Sequence, residues 1–167
     1  MTLRSDLAAE LRRRAAADQE ARHRYLDTGE FDDLPGIDTA NTAWIKAVIA
    51  EHGWPGTDLV GERGADDAWL LVQHADRDLA FQRAALEHLA KAVDADQAPA
   101  RHLAYLTDRV LVADGQPQVY GTQYTEENGR LMPRPVRDPD HLDERRAAAG
   151  LESAAAYDQR MRQAYPR

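Results

Sequence analysis

The sequence contains no cysteine among its 167 residues. This absence excludes a disulfide framework, a zinc site with thiolate ligands and a catalytic cysteine nucleophile. It is typical of a protein that works in a reducing compartment, so we expect a cytoplasmic location. The length suffices for one domain with its own hydrophobic core, and residues 1–167 are predicted to form a single globular domain.

Long apolar runs are also missing. The longest one, from Ala68 to Val72, is far shorter than the roughly 20 residues that a membrane-spanning helix needs. The N-terminal residues become charged at Arg4 and Asp6 and contain no apolar signal-peptide core. We therefore expect no association with a membrane.

Basic residues are too few for binding nucleic acid through bulk charge. The chain has 21 Lys and Arg against 29 Asp and Glu, a net charge of −8, whereas a nucleic-acid-binding domain typically has the opposite balance or a basic face. The one basic run, Arg12 to Arg14, has Glu10, Asp18 and Glu20 close by, which is typical of a solvated helix face. A small-molecule ligand is the expected partner, and the sequence does not determine an oligomeric state.

Apolar periodicity predicts a mainly α fold of about six or seven helices. Leucines spaced four residues apart begin an N-terminal helix within residues 1–30, which Gly29 ends. Asp38 is the expected N-cap of a second helix that ends at Gly53. Further helices are predicted from Gly64 to about Asp76, from Leu79 to Val93, from Pro99 to just before Gly115, and over residues 139–149 and 152–164.

The hydrophobic period changes after the fifth helix. Residues 118–124 and 131–136 flank a turn that contains Asn128 and Gly129, a strong hairpin signal. Pro133 and Pro135 cannot donate hydrogen bonds to a ladder, so the second arm is predicted to be an edge or only partly paired. We expect one small β-hairpin at about residues 118–136.

The first candidate functional residues follow the most apolar turn of the chain. Residues 68–72 are apolar on every side and should be buried all round, yet Gln73, His74 and Asp76 come directly after them. A buried polar group without a partner costs on the order of 1–3 kcal/mol, so these groups need partners. His74 is either a core histidine bonded to a backbone carbonyl or a histidine at the floor of a pocket, where it exchanges a proton near neutral pH.

Two further histidines are weaker candidates. His52 lies on the apolar face of the second helix, where it either faces the helix dipole or belongs to the same site. His102 lies in one stripe with Arg109 on the fifth helix. Neutral imidazoles from His52, His74 and His102 can form a zinc site, although no pair of them has local ligand spacing. Zinc is thus a minor alternative to the main expectation, which is no cofactor.

The fifth helix and the hairpin contribute the remaining candidates. Asp108 and Arg109 precede an apolar run, which is typical of a charge pair at the core boundary or of an arginine that holds an anionic substrate. Tyr120 and Gln123 lie on either side of Gly121, and a glycine inside a strand pattern often marks the close approach of another backbone or a ligand. One pocket is predicted to collect Gln73, His74, Asp108, Arg109, Tyr120 and Gln123, with His52, Asp76 and His102 as the next candidates.

An ordered series of short motifs runs through roughly residues 38–160. It comprises Gly53 to Pro55, Val60-Gly61 with Gly64-Ala65, Ala68 to Asp76, Leu106 to Leu111, Gly115, Pro117-Gln118, Tyr120 to Gln123, Pro133 to Pro135, Asp138-Pro139, Asp143, Arg145-Arg146 and Gly150-Leu151. This series resembles an uncharacterised family of bacterial domains of unknown function. The resemblance implies a single bacterial domain and brings no established catalytic residue, cofactor or substrate.

Three classes of function are consistent with the sequence, and a purely structural interaction domain is the least favoured of them. The leading hypothesis is an enzyme that processes a small polar or anionic molecule by acid–base chemistry without a redox cofactor, as a hydrolase, lyase or cyclase. Specialised metabolism is the setting that this hypothesis includes. Its catalytic residues would be His74 for proton transfer, Asp108 or Asp76 to orient it and Tyr120 to polarise the substrate. Gln73, Arg109, Gln123, Asp76, His102 and His52 would bind the substrate. The alternative is a non-catalytic module that binds a ligand or a partner protein.

Overall fold

The computed structural model describes residues 3–29, 31 and 33–165. Within them the protein is mainly helical, with seven α-helices, one short 3-10 helix and one two-stranded hairpin, which confirms the predicted fold class. Among the described residues, no helix combines the length and the apolar character that crossing a bilayer requires. The chain forms two compact units, residues 1–98 and residues 99–167, and its organisation as a single globular domain stays a prediction.

The first unit contains four helices, α1 (Ser5–Thr28), α2 (Leu34–His52), α3 (Thr57–Gln73) and α4 (Leu79–Asp94). Helices α1, α2 and α3 pack on one another around fully buried side chains that include Leu11, Ile45 and Leu71. Helix α3 begins at Thr57, earlier than the predicted start at Gly64. It is kinked at Gly61, which lies inside the helix with φ 74° and ψ 168°. Gly29 ends α1 in the left-handed conformation, as predicted.

The predicted start of α2 is wrong. The helix begins at Leu34, with Pro35 in its first turn. Proline is tolerated there because the first helical N–H groups have no intrahelical acceptor in any case. Asp38 is therefore not an N-cap but a residue inside the helix, and its carboxylate is available to side chains of other helices.

The second unit contains α5 (Ala100–Ala113), the strands β1 (Tyr124–Glu127) and β2 (Arg130–Pro133), a 3-10 helix (Pro139–His141), α6 (Leu142–Ala148) and α7 (Ala154–Ala164). The strands are antiparallel, with Glu127 opposite Arg130. Asn128 and Gly129 have φ values of 50° and 71°, as a tight hairpin turn requires. The predicted hairpin is thus confirmed, with shorter arms than expected.

The side chain of Gln118 replaces strand pairing in residues 118–123. It is fully buried, and its amide Nε2 donates to the carbonyl oxygens of Gln123 at 3.0 Å and Arg134 at 2.8 Å. The Gln123 N–H donates back to Gln118 Oε1 at 2.8 Å. Because one side chain satisfies backbone groups of both arms, this part of the chain needs no continuous ladder.

Candidate functional site

A pocket of about 340 Å³ lies between α2 and the loop that joins α3 to α4. Its volume is at the lower end of the roughly 300–1,000 Å³ that is typical of small-molecule sites. Helix α2 contributes residues that recur at helical spacing on one face, while Ile45 and Val48 of the same helix are buried. The lining residues are Asp38, Thr39, Thr42, Ala43, Lys46, His74, Arg77 and Asp78.

His74 is placed by the C-terminus of α3. The helix ends at Gln73, earlier than predicted, and the N–H of His74 still donates to the Leu70 carbonyl at 3.2 Å. Ala75, the next residue, is buried and turns the chain inward. These contacts fix the backbone of His74, and its side chain is 16% exposed, so one edge of the imidazole faces the protein and another the pocket.

Asp18 of α1 is the partner of His74. Its carboxylate is 1% exposed, and Oδ2 lies 2.8 Å from Nδ1 of His74. Gln19 Nε2 also donates to Oδ2, at 2.9 Å. Burial by itself raises the pKa of Asp18, but the hydrogen bond and the electrostatic interaction with His74 outweigh it, with help from Gln19 and Arg22, and hold this pKa below its usual value. Asp18 is therefore a buried carboxylate that stays ionised.

Arg22 and Asp18 both lie within hydrogen-bonding distance of Nδ1 of His74. Its Nε lies 2.9 Å from Nδ1 of His74 and 3.3 Å from both carboxylate oxygens of Asp18. Nδ1 cannot accept from Arg22 and also donate to Asp18. We assign its proton to the shorter bond with the buried carboxylate, because a charge-assisted bond is the stronger one. Nε2 of His74 is then the unprotonated nitrogen, and it makes no hydrogen bond with any residue that the structure describes.

A second carboxylate of the pocket is tied to the same arginine. Arg22 Nη2 donates to Oδ1 of Asp38 at 2.6 Å. Burial raises the pKa of Asp38 above its usual value, although the positive charge of Arg22 opposes the rise. The guanidinium thus bridges two carboxylates that differ in burial and in the direction of their pKa shift.

The pocket wall also holds an ion pair and a cation that has no ion pair among the described residues. Lys46 Nζ donates to Oδ2 of Asp78 at 2.6 Å, while Oδ1 of Asp78 accepts from the N–H of Phe81 and caps α4. Arg77 is exposed and makes no hydrogen bond or ion pair with a described residue. The hydroxyl of Thr42 likewise has no partner among them.

The sequence predicted His74 but missed the residues around it. The sequence pattern indicates a solvated helix face around Asp18 and an N-cap at Asp38, and it does not single out Arg22, Lys46 or Arg77. One signal was present, since Asp18 falls in the same register as the buried Leu11 and Ala15 of α1. A carboxylate on the apolar face of an amphipathic helix predicts a buried partner. Nothing in the sequence indicated that this partner lies 56 residues away.

The other predicted residues of the first unit do not line this pocket. Gln73 is buried, and its carbonyl oxygen accepts from Gln82 Nε2 at 3.2 Å. The carboxylate of Asp76 accepts from the same amide at 3.3 Å, so Asp76 does not orient His74. His52 ends α2, with Nε2 3.4 Å from Glu51. These contacts favour the structural alternative for all three.

Both carboxylate oxygens of Asp108, in the second unit, accept hydrogen bonds. It is fully buried, and Oδ1 accepts from the N–H groups of Val119 at 2.7 Å and Tyr120 at 3.0 Å. Oδ2 accepts from the N–H of Thr122 at 2.9 Å and from its hydroxyl at 3.0 Å. Asp108 therefore holds the segment 119–122, which corrects its predicted role as the partner of His74.

Tyr120 and Gln123 belong to the same structural network. The carbonyl oxygen of Tyr120 accepts from Nη1 of the fully buried Arg146 at 2.6 Å, and Gln123 Nε2 donates to Thr122 Oγ1 at 3.0 Å. Gly121 has φ 66°, and a Cβ there would lie 3.4 Å from Leu142, so the close approach that the glycine indicated is to a side chain. The convergence of Tyr120, Gln123 and Arg109 with His74 on one site stays a prediction.

His102 makes the stability of the protein depend on pH. Burial, with a smaller effect of Arg101, lowers its pKa to about 4. Between pH 6.5 and 4 the unfolded chain binds a proton that the folded protein does not, so stability falls as the pH falls through this range. Over this range the lowered pKa of His102 corresponds to a loss of about 3 kcal/mol in the free energy of unfolding. Urea unfolding at pH 7 and 4.5 measures the loss of the free energy of unfolding between the two pH values. This loss should be smaller in His102→Gln than in the wild type, and it should be the same as in the wild type in the control His141→Gln, at an exposed position. Equal losses in all three proteins would contradict the role of His102.

The described residues contain no group of three histidine, aspartate or glutamate side chains that could hold a metal ion. His74 uses Nδ1 for Asp18, and His52 lies beside Glu51. The zinc alternative with His52, His74 and His102 therefore gains no support from the geometry.

The chain belongs to a family of unknown function, DUF6624, whose model matches residues 5–167. This confirms the resemblance to an uncharacterised family and extends it beyond residues 38–160 to include α1, whereas a bacterial origin stays a prediction. No curated protein and no solved structure matches the chain. The family match thus includes both Asp18 and His74 and supplies no activity for them.

Proposed function

We propose that the protein is an enzyme that transfers protons to and from a small polar or anionic molecule bound in this pocket, with His74 as the proton-transfer group. The observation that carries the proposal is the 2.8 Å pairing of His74 Nδ1 with the buried carboxylate of Asp18, on a ring that lines a pocket. A purely structural histidine needs no pocket on its free side. An imidazole oriented by a carboxylate is a recurrent general base.

The proton would move through Nε2 of His74. This nitrogen takes a proton from a hydroxyl group, a water molecule or a C–H next to a carbonyl group, and Asp18 stabilises the imidazolium that forms. The proton then returns from Nε2 to the leaving group. Asp38, whose pKa is raised by burial, is the second proton-transfer group on the wall, because a carboxyl group with a raised pKa holds a proton that it can donate.

Hydrolysis, elimination and cyclisation all fit this scheme, because each needs a proton removed at one atom and delivered at another. None of them needs a redox cofactor. The cysteine-free composition supports the further proposal that the enzyme works in a bacterial cytoplasm.

The test is a screen for turnover with a matched variant. The protein is incubated with a pool of small carboxylates, phosphate esters and amides, and their depletion is followed by mass spectrometry. We expect at least one compound to be consumed by the wild type and by His52→Gln, a control outside the pocket, but not by His74→Gln. Equal consumption by His74→Gln would refute the role of His74. A compound that raises the melting temperature without being consumed would identify a ligand-binding module instead.

A further inference from the structure

Some polar groups of the pocket wall have hydrogen-bond partners within the protein and others have none. The two acceptor oxygens of Asp78 are occupied by Lys46 and by the N-terminus of α4, and Asp38 accepts from Arg22. The hydroxyl of Thr39 donates to the Pro35 carbonyl at 2.8 Å. Arg77 and Thr42 differ from these residues, because neither has a hydrogen-bond partner among the described residues.

The ion pairs of the pocket wall also single out Arg77. Lys46 is neutralised by Asp78 at 2.6 Å, and Asp38 is neutralised by Arg22 at the same distance. Arg77 is the one charged lining residue that has no ion pair within the described part of the chain. A guanidinium presents five N–H donors in a planar fork that matches a carboxylate or a phosphate group.

We propose that the pocket binds its ligand through a compact oxyanion group, a carboxylate or a phosphate, which Arg77 holds with the help of the Thr42 hydroxyl. This inference deepens the proposed function, because the oxyanion would anchor a substrate whose remaining atoms lie against His74. The anion-binding role that was predicted for Arg109 then belongs to an arginine on the loop between α3 and α4.

The direct test is anion binding to the isolated protein. Inorganic phosphate and acetate are titrated separately at constant ionic strength, and backbone amide shifts are followed by NMR. We expect saturable shifts at Thr42, His74 and Arg77 with one of the two anions, and binding at least about tenfold weaker in Arg77→Ala. Arg77→Lys should restore part of the affinity, since it keeps the charge but not the fork. The preferred anion distinguishes a phosphate ester from a carboxylic acid.

Arg130→Ala is the matched control, because it removes the same charge from an exposed position of β2. It should leave anion binding unchanged. Shifts that do not saturate, or that persist with equal affinity in Arg77→Ala, would overturn the inference. The wild type separates the two proposals: saturable anion binding without turnover of any compound in the screen would support the oxyanion site while the proposed catalysis fails.

Discussion

Replacement of Asp108 by alanine should lower the free energy of unfolding of the unit formed by residues 99–167 by about 3–5 kcal/mol. The reason is the number of groups that depend on this carboxylate. The N–H groups of Val119, Tyr120 and Thr122 all donate to it. Each would lose its acceptor, and each buried donor left without one costs on the order of 1–3 kcal/mol.

Hydrogen exchange measures this effect at the responsible atoms. Amide protection of Val119, Tyr120 and Thr122 should fall in Asp108→Ala. Tryptophan fluorescence is not suited to this measurement, because it reports the first unit. The three tryptophans all lie within residues 1–98, at Trp44, Trp54 and Trp69. Asp140→Ala, at an exposed position of the 3-10 helix, should change stability by no more than about 0.5 kcal/mol. Unchanged protection of the three amides would show that Asp108 does not hold this segment.

Replacement of Asp18 by asparagine should reduce the turnover of the substrate by about 10²–10⁴-fold while leaving the fold intact. Asparagine has nearly the same shape as aspartate, but it has one acceptor oxygen in place of two and an amide that donates. Asparagine therefore no longer enforces a proton on Nδ1 of His74 and does not stabilise the imidazolium. A large part of the histidine would carry its proton on Nε2 and would not act as a base.

Nitrogen NMR of His74 provides a readout that a merely structural role of Asp18 would not change. The wild type should show a protonated Nδ1 and an unprotonated Nε2, and the proportion of the other tautomer should rise in Asp18→Asn. Asp27→Asn, an exposed carboxylate of the same helix, is the control for charge. Full turnover in Asp18→Asn, or an unchanged tautomer, would remove Asp18 from the mechanism.

For His74 the structure combines the two alternatives that the sequence left open. The histidine is bonded at Nδ1 to a buried group, as a core histidine would be, and it also lines a pocket. We therefore expect His74→Ala to cost some stability, since Asp18 would lose its closest partner, as well as activity. The partner itself could not be predicted, because a carboxylate 56 residues away leaves no trace in local spacing.

The sequence by itself determined the helices and the hairpin. Apolar residues at helical spacing, glycines at the ends of α1 and α2, and the pair Asn128-Gly129 are local features, and local backbone preferences act within a few residues. The same logic failed at Pro35, where a residue that breaks helices in their interior begins one instead.

Tertiary structure decided which polar side chains have which role. Asp108 and His74 both lie close to apolar helical residues, yet the carboxylate is enclosed by backbone N–H groups and the imidazole lines a pocket. Packing of α1 on α3 determines that Asp18, and not Asp76, faces His74. The physical reason is that a buried charge needs several partners at specific distances, and only the folded chain brings groups from distant segments within hydrogen-bonding range.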